Sequence, residues 1–180
     1  MSYKDVIIAG FGGQGILLGG KLLAWAGMLE GRRVTWFPSY GAEIRGGTAN
    51  CTVVISDEEI GSPVVDMPET LIALNQASAD RFSGRVVRGG CILLNSSLIK
   101  KDVKRPGVKV YKVPANDIAE KLGDLRIANM VMLGAYLKAS GALDLSSVCK
   151  ALEDVISARH RSAIPLNKAA LERGYSLVSI

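Results

Sequence analysis

The sequence predicts an α/β protein: a three-layer α/β/α sandwich around a mainly parallel, Rossmann-like sheet. Short, continuous apolar runs, typical of strands buried on both faces, alternate with longer segments whose apolar residues recur at helical spacing. No repeat, low-complexity tract or linker interrupts this alternation, so residues 1–180 are predicted to form one domain.

The beginning of the chain predicts a strand, a loop, a helix and a second strand. Residues 6–9 form a short apolar run that ends at a glycine, as expected for a parallel-sheet strand. Between residues 16 and 29 the apolar positions recur at helical spacing, and Gly31 is suited to end that helix. Residues 34–37 are β-branched and aromatic, which predicts a strand that Pro38 stops.

The middle of the chain continues with a glycine-rich segment, residues 39–48, predicted to be an ordered loop, and then with more strands. The strands are predicted at residues 50–56, 70–74, 92–94 and 108–113. The last of them alternates apolar and polar residues, as a strand with one solvated face does.

The last third of the chain is predicted to be helical. Pro114 suits the first position of a short helix that Gly123 ends, and Asp144 is the predicted N-cap of an amphipathic helix. Gly134 lies inside an apolar helix, where a small residue permits close helix approach. The helices are predicted at residues 114–123, 129–140, 145–156 and 169–173.

The composition, with 48% hydrophobic and 22% charged residues, fits a globular domain with a sizeable core. The net charge is +5, yet basic residues are interleaved with acidic ones, and the densest basic stretch, residues 100–105, contains Asp102. A nucleic-acid interface needs a concentrated basic stripe or a reading motif, so no nucleic-acid partner is predicted.

The three cysteines, Cys51, Cys91 and Cys149, stand far apart and form no C-x-x-C pair. The sequence therefore predicts neither a zinc site nor a locally ligated iron–sulfur cluster. Cys51 and Cys91 lie in apolar runs and are predicted to be buried free thiols in a reducing cytoplasm. No signal-peptide pattern and no apolar run near the ~20 residues of a membrane span are seen, so the expected location is cytoplasmic.

A glycine motif, Gly10-Phe11-Gly12-Gly13-Gln14-Gly15, fits G-x-G-x-x-G between the first strand and the first helix. Three interpretations stay open: a tight turn that only aids packing, an anion site at the helix N-terminus, and a dinucleotide site. A dinucleotide site usually has an acidic residue at the end of the second strand, whereas this strand is followed by Pro38 and Ser39.

No catalytic set is predicted from the residues. His160, the single histidine, is flanked by Arg159 and Arg161 and is interpreted as an exposed residue at a helix end. There is no G-x-S-x-G elbow and no Walker lysine after the glycines.

Two segments together are more specific than either alone: the motif at residues 10–15 and, one strand–helix–strand unit later, Ser-Tyr-Gly-Ala-Glu-Ile-Arg-Gly-Gly-Thr-Ala-Asn-Cys at residues 39–51. This pair resembles the gamma subunit, or corresponding domain, of 2-oxoacid:ferredoxin oxidoreductases. The resemblance also takes in residues 59–63, 74–76, 94–97 and 128–134. It thus covers nearly the whole chain, and the Thr-Ala-Asn-Cys continuation is most similar to the 2-oxoglutarate branch.

The resemblance implies a subunit of an enzyme that converts a 2-oxoacid and coenzyme A (CoA) to acyl-CoA and CO₂ and reduces ferredoxin. It assigns thiamine diphosphate to the alpha and beta partners and the iron–sulfur clusters to the beta and delta partners. This chain is then a structural, CoA-side subunit with no redox centre, no metal and no catalytic residue of its own. The alternative is an independent nucleotide- or CoA-binding Rossmann-like protein.

Within that picture two groups of residues are candidates for function. An anion or CoA site is expected at Gly12, Gly13, Gln14 and Gly15. An interface or anion contact is expected at Tyr40, Glu43, Arg45, Gly46 and Gly47. For Arg45 an ion pair with Glu43 is the competing interpretation, and for Tyr40 and Trp36 core packing competes with an interface role.

Overall fold

A computed structural model of the chain describes residues 2–40 and 47–179. Within these ranges the strands are β1 (Tyr3–Phe11), β2 (Arg33–Tyr40), β3 (Thr48–Ser56), β4 (Thr70–Ala73), β5 (Cys91–Asn95) and β6 (Lys109–Val113). The α-helices are α1 (Ile16–Leu29), α2 (Gln76–Phe82), α3 (Ala115–Leu122), α4 (Ala128–Ser140), α5 (Leu145–Val155) and α6 (Ile164–Leu177). Short 3₁₀ turns at Ser83–Arg85, Leu125–Ile127 and Ala158–Ala163 join some of them.

The strands form one sheet in the order β2-β3-β1-β4-β5-β6. The pairings β1–β4, β4–β5 and β5–β6 are parallel, and β3 is antiparallel to both β1 and β2. Strand β3 is therefore the one strand of this sheet that runs against the others, and the predicted mainly parallel α/β fold is confirmed. The first crossover, from β1 through α1 to β2, skips the position that β3 fills.

Apolar side chains cover both faces of the sheet. Successive residues of a strand point to opposite faces, so Ile8 packs with α1, α4 and α5 on one face while Ile7 packs with α2 on the other. Tyr136 and Leu93 are fully or almost fully buried on the helix-rich face. Burial on both faces explains why the strands appear in the sequence as continuous apolar runs.

Helices α4 and α6 touch backbone to backbone at two glycines. A Cβ atom on Gly134 would lie 2.0 Å from the carbonyl oxygen of Leu171, and one on Gly174 would lie 1.9 Å from that of Val131. The close approach predicted at Gly134 is thus confirmed, with Gly174 as its counterpart.

The predicted boundaries differ from the structure in a few places. Pro38 does not end β2, which continues to Tyr40; β2 is an edge strand, where a residue without an N–H is tolerated. Pro114 is the N-cap of α3 instead of its first residue. Helix α2 is not predicted because it is only seven residues long, and α6 begins five residues before the predicted start at residue 169.

Candidate functional site

The glycine turn, residues 10–15, leaves the carboxyl end of β1 and enters α1. Gly13 and Gly15 have φ values of 100° and 73°, in the left-handed region that side chains other than glycine rarely adopt. Gly15 is the N-cap of α1 and caps it without a side chain. The motif therefore builds a turn that a chain without these glycines would not make.

Gln14 lies in the turn but its side chain faces the protein. Its Oε1 accepts hydrogen bonds from the Phe11 N–H at 2.7 Å and from Nδ2 of Asn75 at 3.2 Å. Its Nε2 donates to the carbonyl oxygen of Leu74 at 3.4 Å. Gln14 thus joins the end of β1 to the end of β4.

This bridge crosses the place where ligands commonly bind in open α/β sheets. The chain leaves β1 toward α1 on one face and leaves β4 toward α2 on the other, so the crevice between these two strand ends is the topological switch point. Here the Gln14 amide bridges the two strand ends, and the cavity of about 180 Å³ left beside it is smaller than the roughly 300 Å³ of an ordinary ligand pocket, which disfavours the dinucleotide interpretation of the motif.

Asn129, near the start of α4, supports the other end of the turn. Its Nδ2 donates to the carbonyl oxygen of Gly15 at 3.1 Å, and its Oδ1 accepts from the N–H of Met130 at 3.0 Å. The side chain is buried, and a Cβ on Gly15 would lie 2.3 Å from its Nδ2. Sequence reasoning did not assign Asn129 a role, because 114 positions separate it from Gly15.

The turn opens into a cleft of about 490 Å³ lined by its own backbone and by apolar side chains. Among the described residues, the N–H groups of Gly13, Gly15 and Ile16 have no hydrogen-bond acceptor, as is usual at a helix N-terminus. Phe11 and Tyr40, which are 38% and 63% exposed, form part of the wall. The cleft therefore offers backbone donors that have no acceptor within residues 2–40 and 47–179, beside an apolar surface, and this combination suits an organic anion.

The two sequence segments meet here. The N–H of Gly12 donates to the carbonyl oxygen of Gly47 at 2.9 Å, so the second glycine segment is attached to the first. Tyr40 lies at the cleft and, being mostly exposed, is not a core residue. The predictions for Glu43, Arg45 and Gly46 fall outside the described residues.

Cys51, on β3, lies behind the turn. It is fully buried, its thiol donates to the carbonyl oxygen of Ile16 at 3.5 Å, and burial raises its pKa to about 12. Cys91 is also buried and free, as predicted, and burial raises its pKa as well. Both groups are neutral thiols that pack; neither is a nucleophile near neutral pH.

Other predicted features are found away from the cleft. His160 is exposed in the 3₁₀ turn before α6, with Nδ1 3.1 Å from the Ser157 hydroxyl. Trp36 is 38% exposed on β2. Within residues 2–40 and 47–179, no group of three or more His, Cys, Asp or Glu side chains could hold a metal ion. None of the helices described there has the length and apolar character to cross a membrane.

A family model described as pyruvate ferredoxin/flavodoxin oxidoreductase matches residues 5–177 of the chain. The chain belongs to this family. The resemblance drawn from the two glycine segments is therefore confirmed.

Curated relatives carry several oxoacid names, among them ketoisovalerate, 2-oxoglutarate and pyruvate. The ketoisovalerate oxidoreductase subunit VorA of Methanothermobacter thermautotrophicus is 45% identical over 94% of this chain, but the match covers 35% of that protein. The 2-oxoglutarate synthase subunit KorC of Methanocaldococcus jannaschii is 36% identical over 97% of this chain and 93% of its own length. This chain thus spans about a third of the length of the first relative and nearly all of the second.

Solved structures support the fold. The gamma subunit of a keto/oxoacid ferredoxin oxidoreductase from Geobacter sulfurreducens is 27% identical, with a TM-score of 0.84 over 98% of this chain and 96% of that one. A 2-oxoglutarate:ferredoxin oxidoreductase from Magnetococcus marinus gives a TM-score of 0.88 at 24% identity, covering 98% of this chain and 31% of that chain. The second likeness concerns the fold alone.

Proposed function

We propose that this chain is the gamma subunit of a cytoplasmic 2-oxoacid:ferredoxin oxidoreductase. The complex converts a 2-oxoacid and CoA to acyl-CoA and CO₂ and passes the electrons to ferredoxin. The observation that carries the proposal is the family match over residues 5–177, together with a relative of nearly equal length that is itself a 2-oxoglutarate synthase subunit.

The proposed division of labour comes from the family resemblance, and the chemistry of this chain is compatible with it. Its described residues offer neutral, buried thiols at Cys51 and Cys91 and an exposed His160, so we assign it no redox centre and no catalytic residue. Thiamine diphosphate and the iron–sulfur clusters belong to the alpha, beta and delta partners. This subunit contributes architecture and the CoA side of the reaction.

The glycine turn is the proposed CoA site. CoA carries a diphosphate and a further phosphate. The N–H groups of Gly13, Gly15 and Ile16 at the start of α1, which have no acceptor in the described part of the chain, suit a polyanion. Phe11 and Tyr40 supply apolar and aromatic surface for the uncharged parts of the ligand. Gly12 contributes by fixing Gly47 beside the turn.

The edge of the sheet beyond this cleft is the proposed docking surface. On the edge strand β2, Trp36 and Tyr40 point to one face of the sheet and Phe37 to the other, so a partner would have to contact the strand edge from both sides. These side chains are 38%, 63% and 45% exposed, and aromatic residues are enriched at protein interfaces. The larger relatives continue for about twice the length of this domain in the same chain, which supports a large neighbour for the corresponding domain here. Arg45, Glu43 and Gly46 remain candidates for the same contact.

The substrate has two candidates. The Thr-Ala-Asn-Cys sequence at residues 48–51 favours 2-oxoglutarate, whereas the 45% identity to a ketoisovalerate oxidoreductase subunit favours ketoisovalerate. The partners contribute the 2-oxoacid pocket, so either acid is compatible with this chain.

Co-expression with the alpha, beta and delta chains tests the proposal. The four chains should co-purify, and the complex should reduce ferredoxin with CoA and one of the two oxoacids. Failure to assemble, or micromolar binding of NADH or FAD by the lone chain in calorimetry, would instead support an independent nucleotide-binding protein.

A further inference from the structure

We infer that Gln14 and Asn129 are positioning residues: two amide side chains that hold the glycine turn in its ligand-receiving shape without contacting the ligand. The inference rests on the proposed CoA site and adds to it the residues that set its geometry.

The Gln14 side chain uses most of its hydrogen-bonding capacity within the protein, so little remains for a ligand. Its Oε1 accepts from the Phe11 N–H and from Asn75, which uses both lone pairs of that oxygen. A Cβ on Gly10 would lie 2.6 Å from Oε1, so the glycine at position 10 makes room for the amide. The same Cβ would lie 2.7 Å from Cδ1 of Ile16, so the first glycine of the motif makes room for both side chains.

Asn129 fixes the end of the turn that enters α1. The carbonyl oxygen of Gly15 accepts both from Nδ2 of Asn129 and from the N–H of Gly19, so its direction is set from two sides. Asn129 itself is only 5% exposed and is held through its Oδ1 by the N–H of Met130. The first turn of α4 thus determines where α1 begins.

The turn needs these braces because its glycines have unusual conformational freedom. Among the described residues, no atom other than those of its chain neighbours lies within 4 Å of a Cβ built on Gly13, and its φ of 100° is a conformation that glycine adopts at little cost. If these hydrogen bonds are lost, the turn adopts its ligand-binding conformation only part of the time. The apparent affinity for CoA then falls in proportion to the population of that conformation.

The test uses the assembled complex with Gln14→Met and Asn129→Leu, which keep side-chain volume and remove the hydrogen bonds. We expect the KM for CoA to rise about tenfold, because a turn that adopts the ligand-binding conformation roughly a tenth of the time binds about tenfold more weakly. The kcat and the KM for the 2-oxoacid should stay within about twofold of wild type, since no reacting group is removed.

Asn167→Leu is the matched control. Asn167 is also a buried amide that donates to a backbone carbonyl, that of Ala163 at 2.7 Å, but it lies in α6 and its hydrogen bond is not to a residue of the glycine turn. It should lower the melting temperature as Asn129→Leu does and leave the KM for CoA unchanged. If Asn129→Leu does not fold, Asn129→Asp removes the donor to Gly15 and keeps the acceptor for Met130, so it takes its place.

Gly13→Ala separates this inference from the function on which it rests. It strains the turn directly, so an unchanged KM for CoA in this variant would show that the turn is not the CoA site. If Gly13→Ala raises that KM while Gln14→Met and the Asn129 variants do not, the CoA site stands and the positioning role is wrong.

Discussion

At the scale of single residues, the glycine turn depends on two kinds of glycine. Some are required by backbone conformation alone, and others also by a neighbouring side chain. Gly15 belongs to the second kind because it has a φ of 73° and Asn129 against its α-carbon. Gly31 belongs to the first, with a φ of 74° and open space around it.

This difference makes Gly15→Ala and Gly31→Ala a matched pair. For Gly31→Ala we expect a loss of about 1 kcal/mol in the free energy of unfolding, from backbone strain alone. For Gly15→Ala we expect about 2–4 kcal/mol, because the new methyl group also displaces Asn129. Urea unfolding of the two variants measures both values, and equal losses would contradict the described brace.

Burial of the thiols predicts which cysteine reacts. Burial raises the pKa of all three thiols, but Cys51 and Cys91 are buried whereas Cys149 on α5 is half-buried and therefore accessible to a reagent. Iodoacetamide at pH 8 should therefore modify Cys149 first in the native chain and all three in denaturant, as read by mass spectrometry. Rapid native labelling of Cys51 would show that α1 does not cover β3 as described.

Asp5 predicts a pH dependence of stability. Burial raises the pKa of its carboxyl above the ordinary 3.8, although the carboxylate accepts a hydrogen bond from the Glu69 N–H at 2.7 Å. The folded protein then holds this proton more tightly than the unfolded chain, so ionisation costs stability as pH rises above the unfolded value.

Asp5→Asn removes that cost and keeps an acceptor for Glu69. We expect a higher melting temperature than wild type at pH 7 and a difference that disappears below pH 3.8, where both states are protonated. A melting-temperature series from pH 3 to 8 measures it, and a destabilised variant at pH 7 would show that the charge itself is needed.

At the scale of elements, the contact between α4 and α6 is the tightest helix pair in the described chain. Gly134 and Gly174 allow carbonyl oxygens of the facing helix to approach to about the van der Waals limit of the α-carbon. Gly134→Ala should cost more than about 3 kcal/mol in the free energy of unfolding, since backbone must move to admit the methyl group.

Gly19→Ala is the control for Gly134→Ala. Gly19 is also a buried helical glycine, but its nearest neighbour is a flexible leucine side chain, Leu133, at 3.4 Å. Helix propensity favours alanine there by up to about 1 kcal/mol, so the net change should be small or stabilising. Similar losses for the two variants in chemical unfolding would contradict the close contact of α4 with α6.

The elements that the sequence predicted are those whose signal is local. Helix α1 was predicted with its observed limits, because apolar spacing and Gly31 mark both of its ends. The insertion of β3 between β1 and β2 was not predicted, since pairing partners leave no local pattern. Gln14 was expected to meet an anion, and its side chain faces Leu74 and Asn75; that contact spans about 60 positions and is invisible to spacing.

At the scale of the whole molecule, the candidate ligand cleft and the candidate docking surface lie at adjoining edges of the sheet. Its carboxyl edge carries the glycine turn and the cleft, and the neighbouring edge strand β2 carries the exposed aromatic residues Trp36, Phe37 and Tyr40. A ligand in the cleft would therefore lie beside a docked partner. The proposed CoA site and the proposed docking surface would then adjoin each other.

Tyr40→Ala tests that arrangement because Tyr40 belongs to both the cleft and the exposed edge. We expect weaker assembly and a raised KM for CoA, with a melting temperature of the lone chain within about 2 °C of wild type, since surface substitutions change stability little. Leu177→Ala, which shortens another exposed apolar side chain on α6, should change none of the three quantities. Gel filtration measures assembly, and steady-state kinetics measure the KM for CoA.

The most direct test of the central claim is an add-back experiment. The alpha, beta and delta chains are purified without this subunit, and ferredoxin reduction is followed as the subunit is added. The account predicts little CoA-dependent turnover in its absence and full turnover at one equivalent, with no activity and no visible chromophore in the subunit alone. Full CoA-dependent turnover before the subunit is added, or a redox centre in the isolated chain, would contradict it.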